Sequence, residues 1–289
     1  ESWNLDDFKV MPIPACPSPV ANSVVISEIT DTQATVSWTD TDESHNAWTV
    51  HYKAENDEDY IVLPATAQTI TLTGLTATTA YEVYVMTNCG TDDNVARTDI
   101  ISFSTIATPI SEFPYYQTFE DLENNPASFE FRNEHTNKWH VGTATGVVSE
   151  EGSDEITTSL YISNDGTSFA YDQNAASTSW AYLPVTLTTT DSIFFSWKGV
   201  GETCCDYAHA YLIPAGTLPT AGSTTLPEGA IAVGSKINQR TTWQHDTIVP
   251  NVEGNYNLCF MWTNDESSGT TSIAIDDVRV GNAPGIYAN

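Results

Sequence analysis

The chain has 289 residues, enough for about two domains that each bury a core of their own. Its 38 acidic side chains against nine basic ones give a formal charge of −29, which repels phosphate backbones and anionic membrane surfaces, so nucleic acid and membrane-surface partners are set aside. No stretch approaches the roughly 20 apolar residues of a membrane span, and Glu1 does not open a charged-then-apolar signal sequence, so membrane insertion is not expected and the chain reads as processed or excised.

Long runs of helical period are missing. Short alternating runs such as "QATVSWT", "WTVHYK", "TITLTGL", "YEVYVMT" and "DSIFFSWKG" recur instead, and the reading is an all-β protein. Few lysines, many hydroxyl side chains and five cysteines without Cys-x-x-Cys spacing fit an extracellular or cell-surface protein better than a cytosolic enzyme.

In chain order, "SWNLDDFKV" at residues 2–10 shares its pattern with "SIAIDDVRV" at residues 272–280 near the other end. "MPIPACPSP" at residues 11–19 holds four prolines in nine positions, which suits a stiff connection, and a boundary is expected there. Residues 16–107 then carry about seven short strands between turn-like clusters. "ATVSWTD" contributes Trp38, "WTVHYK" puts Trp48, Val50 and Tyr52 on one face, and "LTGLTATTAYEVYV" has a leucine with a tyrosine, Tyr81, six residues on. In these features the segment resembles a fibronectin type III sandwich, which makes Trp38 a core residue and Tyr81 the corner tyrosine. The resemblance also implies a disulfide between Cys16 and Cys89, closing a loop of over seventy residues and contributing roughly 4 kcal/mol; a pair of buried free thiols is the alternative.

Residues 108–281 form a second unit with "YYQTFED", "KWHVGTA", "SLYISNDG", "SWAYLPVTL", "DSIFFSWKGVGE", "DYAHAYLIPAG", "GNYNLCFMWTND" and "IAIDDVRV" in order. This succession, with an aromatic-Glu pair near its start and an Ile-Asp-Asp close, resembles the larger β jelly-roll domains called cleaved-adhesin or choice-of-anchor modules, relatives of the MAM module. Such modules alternate with fibronectin type III domains in surface and secreted proteins of Bacteroidetes bacteria. The resemblance makes residues 1–10 the last strand of a preceding jelly roll, 11–15 a proline-rich linker and 282–289 a tail or the start of the next linker. The neighbouring repeats of the same polypeptide become partners.

Within "SIAIDDVRV" strict alternation would put Ile273 and Ile275 on one face and Val278 and Val280 on the other, with Asp276 and Asp277 at the slip. A β-bulge is expected there. Adjacent carboxylates beside a core strand need a compensating charge or many donors, and Ca²⁺, which takes six to eight oxygens, supplies it at a sandwich rim. By resemblance to jelly rolls with a structural calcium, Glu120 of "TFED" faces Asp276 or Asp277, with Asp277 marginally preferred. Solvated acids that deter edge aggregation are the plainer reading. Asp121, Asn164 and Asp165 are weaker ligand candidates, since Asn-Asp-Gly is usually a turn.

Cys204, Cys205 and Cys259 leave an odd count, which leaves open whether any of them bridge; one of the adjacent pair could bond Cys259 and leave the other as a free thiol. The six histidines include no His-Glu-x-x-His, and there is no Gly-x-Ser-x-Gly. Cys205 and His209 read as one face of a strand and a weak dyad, and Glu202 with a distant aspartate as a weak glycosidase pair. Trp139, Trp180, Tyr182, Trp243 and Trp262 are candidates for stacking on sugar rings, with core packing as the commoner role. The expectation is a noncatalytic adhesion or spacer fragment of a large cell-surface or secreted bacterial protein, meeting an extracellular protein or glycan ligand. Its rivals are a carbohydrate-binding module of a glycoside hydrolase and an accessory region of a secreted protease.

Overall fold

The structure, a computed structural model, describes residues 16–90, 96–148, 156–269 and 271–282. They divide into two compact units between Thr108 and Pro109, and the regular elements among them are all β-strands. The expected closing strand at residues 1–10, the linker at 11–15 and residues 283–289 of the tail lie outside the described residues.

The first unit has seven strands among its described residues: β1 (Val25–Ser27), β2 (Gln33–Ser37), β3 (Trp48–Ala54), β4 (Ile61–Ala65), β5 (Thr69–Thr73), β6 (Ala80–Thr87) and β7 (Ile101–Ser104). They form an antiparallel sheet in the order β1-β2-β5 and another in the order β4-β3-β6-β7. Period-two alternation explains the pairing, because Trp48, Val50 and Tyr52 on β3 and Tyr81, Val83 and Val85 on β6 all turn inward. They meet Ala34, Val36 and Leu72 of the facing sheet in one core. Trp38, just past β2, packs edge-on against Trp48 with ring centroids 5.9 Å apart. Tyr81 buries its ring and accepts the Thr76 N–H at 2.9 Å on its hydroxyl, which ties the corner after Leu75 to β6.

The second unit comprises β8 (Tyr115–Gln117), β9 (Glu130–Arg132), β10 (Lys138–Val148), β11 (Ile156–Ser163), β12 (Ser177–Leu187), β13 (Ser192–Gly199), β14 (Tyr207–Pro214), β15 (Ile231–Ile237), β16 (Arg240–Ile248), β17 (Gly254–Asn264) and β18 (Ile273–Gly281). One sheet runs β10-β11-β18-β13-β16, with β8 also paired to β18, and the other runs β15-β14-β17-β12-β9. Their inner faces meet in a single large core, where Phe260 of β17 touches Phe195 of β13 edge-on at 5.1 Å. The strands β9, β15 and β16 were not foreseen. β16 in particular is an outer strand whose residues are exposed or half-buried on both faces, so it shows no clean alternation.

β18 contains the expected bulge. Ser196 of β13 pairs with Asp276 while Phe194 pairs with Arg279, so Asp277 and Val278 together oppose Phe195. Asp277 takes a φ of +50°, a left-handed conformation that aspartate tolerates better than most residues. The faces differ from expectation: Ile273, Ile275, Val278 and Val280 all enter the same core. The extra residue reverses the phase of the strand, so that both apolar pairs point inward and the acids do not.

Tyr81→Phe leaves the Thr76 N–H without its acceptor and is expected to destabilise the first unit by about 1 kcal/mol. Amide exchange of β3 and β6 would quicken accordingly, whereas exchange of β12 and β17 in the second unit would be unchanged.

Candidate metal centre

The carboxylates expected to meet come from two strands, Glu120 just past the end of β8 and Asp276 and Asp277 on β18, and β11 lies against them. After β8 the chain reverses at Phe119, which has a φ of +60° and buries its ring completely. The fully buried Gln117 side chain holds this reversal by accepting the Phe119 N–H at 2.6 Å and donating to the Asn125 carbonyl at 3.2 Å. Glu120, the next residue, thereby reaches β11. There its Oε1 accepts the Thr158 N–H at 3.1 Å and the Thr157 hydroxyl in a short hydrogen bond. The same Thr157 Oγ1 lies 3.3 Å from Asp276 Oδ2. One hydroxyl proton therefore faces two carboxylates.

Asp276 stands where β18 changes neighbours. Its register with β11 ends at Ile275, and its register with β8 begins at Val278. The Asp277 N–H donates to Asp276 Oδ1 at 2.7 Å, but half-burial and the nearby charges of Asp277 and Glu120 outweigh that bond and the Thr157 contact. The carboxyl is pushed up to about 8, with burial the largest cause. Asp277 is turned elsewhere. Its carboxylate pairs with Arg279 at 3.6 Å and lies 3.5 Å from the Ser196 hydroxyl. Of the three expected ligands, then, Glu120 and Asp276 converge. Asp277, the marginally preferred ligand, is directed by the bulge to its own strand's arginine.

The donor set suits a hard divalent cation. Two carboxylates and a hydroxyl offer up to five oxygens, and Ca²⁺ completes six to eight with carbonyls or water. The weaker candidates are turn-formers. Asp165 accepts the Thr167 and Ser168 N–H groups at 2.7 and 2.8 Å, which with the Ser168 and Ser163 hydroxyls hold its carboxyl far below the usual range. Asp121 caps a turn by accepting from Asn124.

A second acidic group was not foreseen. Glu202, Asp206 and Asp265 bring one oxygen each within 4.8 Å of one another. Asp206 is fully buried and accepts the Tyr171 hydroxyl and the Asp265 N–H, yet burial still leaves its carboxyl raised.

Cys16 and Cys89 form a disulfide with an S–S distance of 2.03 Å and Cα atoms 6.0 Å apart. The pairing left open among the other three cysteines is decided without a bridge to Cys259. Cys204 and Cys205 are bonded to each other, while Cys259 is buried on β17 among Trp180, Tyr182 and Tyr211 and remains a free thiol that burial keeps protonated. The Cys205–His209 dyad is overturned, since Cys205 precedes β14 and its sulfur is in a disulfide. His209 instead meets the Tyr211 hydroxyl at 3.1 Å and the Gly234 carbonyl at 3.4 Å.

The candidate sugar platform is largely in the interior. Trp139 and Trp262 lie in the main core. Trp180 and Tyr182 lie on the opposite face of their sheet, and the Trp180 indole N–H is held by the carbonyl of Ser223 in the segment between β14 and β15. Trp243 is half-buried and donates to the Val148 carbonyl.

Residues 18–102 match the fibronectin type III domain family, and the seven strands of the first unit are that domain. Among solved structures, the chain is similar to a computationally redesigned β-sandwich protein, at 24% identity over 31% of this chain and 95% of the other, with a TM-score of 0.28. A structure described as a myokine matches at 20% identity over 31% and 98%, TM-score 0.28. A fibronectin type III domain derived from the human KIAA0970 protein matches at 18% over 32% and 76%, TM-score 0.26. No curated protein matches the chain.

With chelator present, the raised carboxyl of Asp276 means that the folded second unit binds more protons than the unfolded chain between pH 3.8 and about 8. Its stability contribution is full below that window and is lost as pH rises through it. The melting temperature of the second unit should therefore fall across this range, and Asp276→Asn should flatten the fall; calorimetry of both proteins in chelator at several pH values checks it.

Proposed function

We propose that the chain is a pair of noncatalytic modules from a secreted or cell-surface protein, serving adhesion or spacing, in which the second unit is a jelly roll of the cleaved-adhesin type pinned by a structural calcium ion. The observation that carries this reading is the convergence of Glu120 and Asp276 on Thr157 at the bulge of β18. Glu120, just past the unit's first strand, and Asp276 on its last repel one another wherever both are charged, which together with burial holds the Asp276 carboxyl up. A cation between them converts the same geometry into a clamp joining the two ends of the domain.

The fibronectin type III domain beside it suits a modular protein, and the Cys16–Cys89 bond suits an oxidising compartment. Glu120 and Asp276 would supply the carboxylate ligands and Thr157 a neutral oxygen, while the bulge fixes their separation. Burial of the aromatic candidates argues for a spacer or protein-adhesion role over stacking on exposed sugars.

Calcium at about 100 times its Kd should raise the melting temperature of the second unit by about 5–10 °C and leave the fibronectin domain unchanged. Asp276→Ala should abolish the shift and Glu120→Gln should reduce it. Equal melting in calcium and in chelator overturns the metal reading. Saturable binding to a glycan array by the full chain overturns the spacer reading.

A further inference from the structure

The β13–β14 connection is built around adjacent cysteines. Gly201 donates to the Thr271 carbonyl at 2.9 Å, the Glu202 N–H donates to the Asp206 carbonyl at 2.9 Å, and Asn238 donates to the Glu202 carbonyl at 2.8 Å. A Cβ at Gly201 would stand 2.2 Å from the Asp206 carbonyl oxygen, so the loop closes on itself more tightly than any side chain there would permit. Both ends of the loop are thus held by backbone bonds that do not depend on sulfur. At its tip Cys204 is exposed and Cys205 half-buried.

Glu202 Oε2 lies 3.5 Å from Cys204 Sγ, and a Glu202 oxygen and both sulfurs lie within 4.8 Å of one another. A disulfide sulfur has no proton to donate, so the carboxylate gains nothing from that contact in the oxidised form. It gains a partner only when the sulfurs are thiols, or thiolates with a cation among the three groups. Lys236 Nζ, 3.5 Å from the Cys204 carbonyl and 3.7 Å from the centroid of the Tyr207 ring, puts a positive charge beside the tip that favours thiolate formation.

We propose that Glu202, Cys204 and Cys205 form a redox-gated seat for a soft divalent cation such as Zn²⁺ or Cd²⁺, closed in the disulfide and opened by an external dithiol. The dithiol delivers two electrons and two protons: the Sγ–Sγ bond breaks, both sulfurs become thiols, and the dithiol closes to its own cyclic disulfide. The cation then displaces the two thiol protons to solvent and binds both thiolates with the Glu202 carboxylate, leaving the fourth position of a tetrahedron to water or an incoming ligand. This seat is separate from Glu120 and Asp276, and its softer ligands select a different class of metal.

Cadmium titration of the full chain, followed by the ultraviolet thiolate-to-cadmium absorption band, tests it. Protein reduced with a dithiol, then freed of it, should give a saturable band at one equivalent, and oxidised protein should give none. The band should be lost in C204S/C205S, whose Cys16–Cys89 pair is reduced in the same way, and Glu202→Gln should weaken binding by at least about tenfold. As a readout without substitutions, alkylation of reduced wild-type protein should modify Cys204 and Cys205 without cadmium and spare them with it. Absence of a band in reduced wild type, an equal band in C204S/C205S, or alkylation unaffected by cadmium overturns the seat; unchanged affinity in Glu202→Gln removes the carboxylate from it.

Discussion

The second unit depends on how its last strand closes it. β18 must put four aliphatic side chains, Ile273, Ile275, Val278 and Val280, into one core while changing its neighbour from β11 to β8 halfway along. A strand of strict period two cannot do this with that spacing, and one extra residue can. The bulge at Asp277 therefore comes first, and the positions of the carboxylates follow from it. The residues at the change of neighbour have no side chain committed to the core, and the left-handed conformation at Asp277 favours a short polar side chain there.

A chain with 38 acidic residues holds them in different settings, and three aspartates of the second unit, one exposed, one buried and one between, show how. Asp165 is supplied with backbone and hydroxyl donors, which stabilise its charge. Asp206 is buried outright and shares a strong bond with Tyr171. Asp276 has one neighbouring N–H and part of one hydroxyl, with two other carboxylates close by. Asp276 meets Glu120 of another strand at one hydroxyl, and Asp206 likewise meets Glu202 and Asp265; the first of these convergences is the one to which the proposed calcium is assigned. Glu202 stands apart, because its contact with Cys204 has a purpose only after reduction.

Much of the fold was legible because burial writes a period into strands packed on one side. β6 shows it throughout and β3 as far as Lys53, and the Leu75–Tyr81 spacing gave away a corner whose hydrogen bond is local. The bulge was legible for the same reason, as a break in that period. What stayed hidden lacked a local signal. β16 lies at a sheet edge with both faces partly wet, and β9 is three residues long. The choice between Asp276 and Asp277 turned on Arg279 and on a single residue's φ angle, neither of which the pattern encodes. The pairing among Cys204, Cys205 and Cys259 stayed open because a count of three does not choose, whereas the place of Cys259 on β17 seals it beneath aromatic rings.

Crystals grown with calcium and measured for anomalous scattering test the central claim most directly. The account predicts one calcium peak at roughly 2.3–2.6 Å from oxygens of Glu120 and Asp276, with Asp277 still paired to Arg279. At saturating calcium, no peak there, or one found only among Glu202, Asp206 and Asp265, would contradict it.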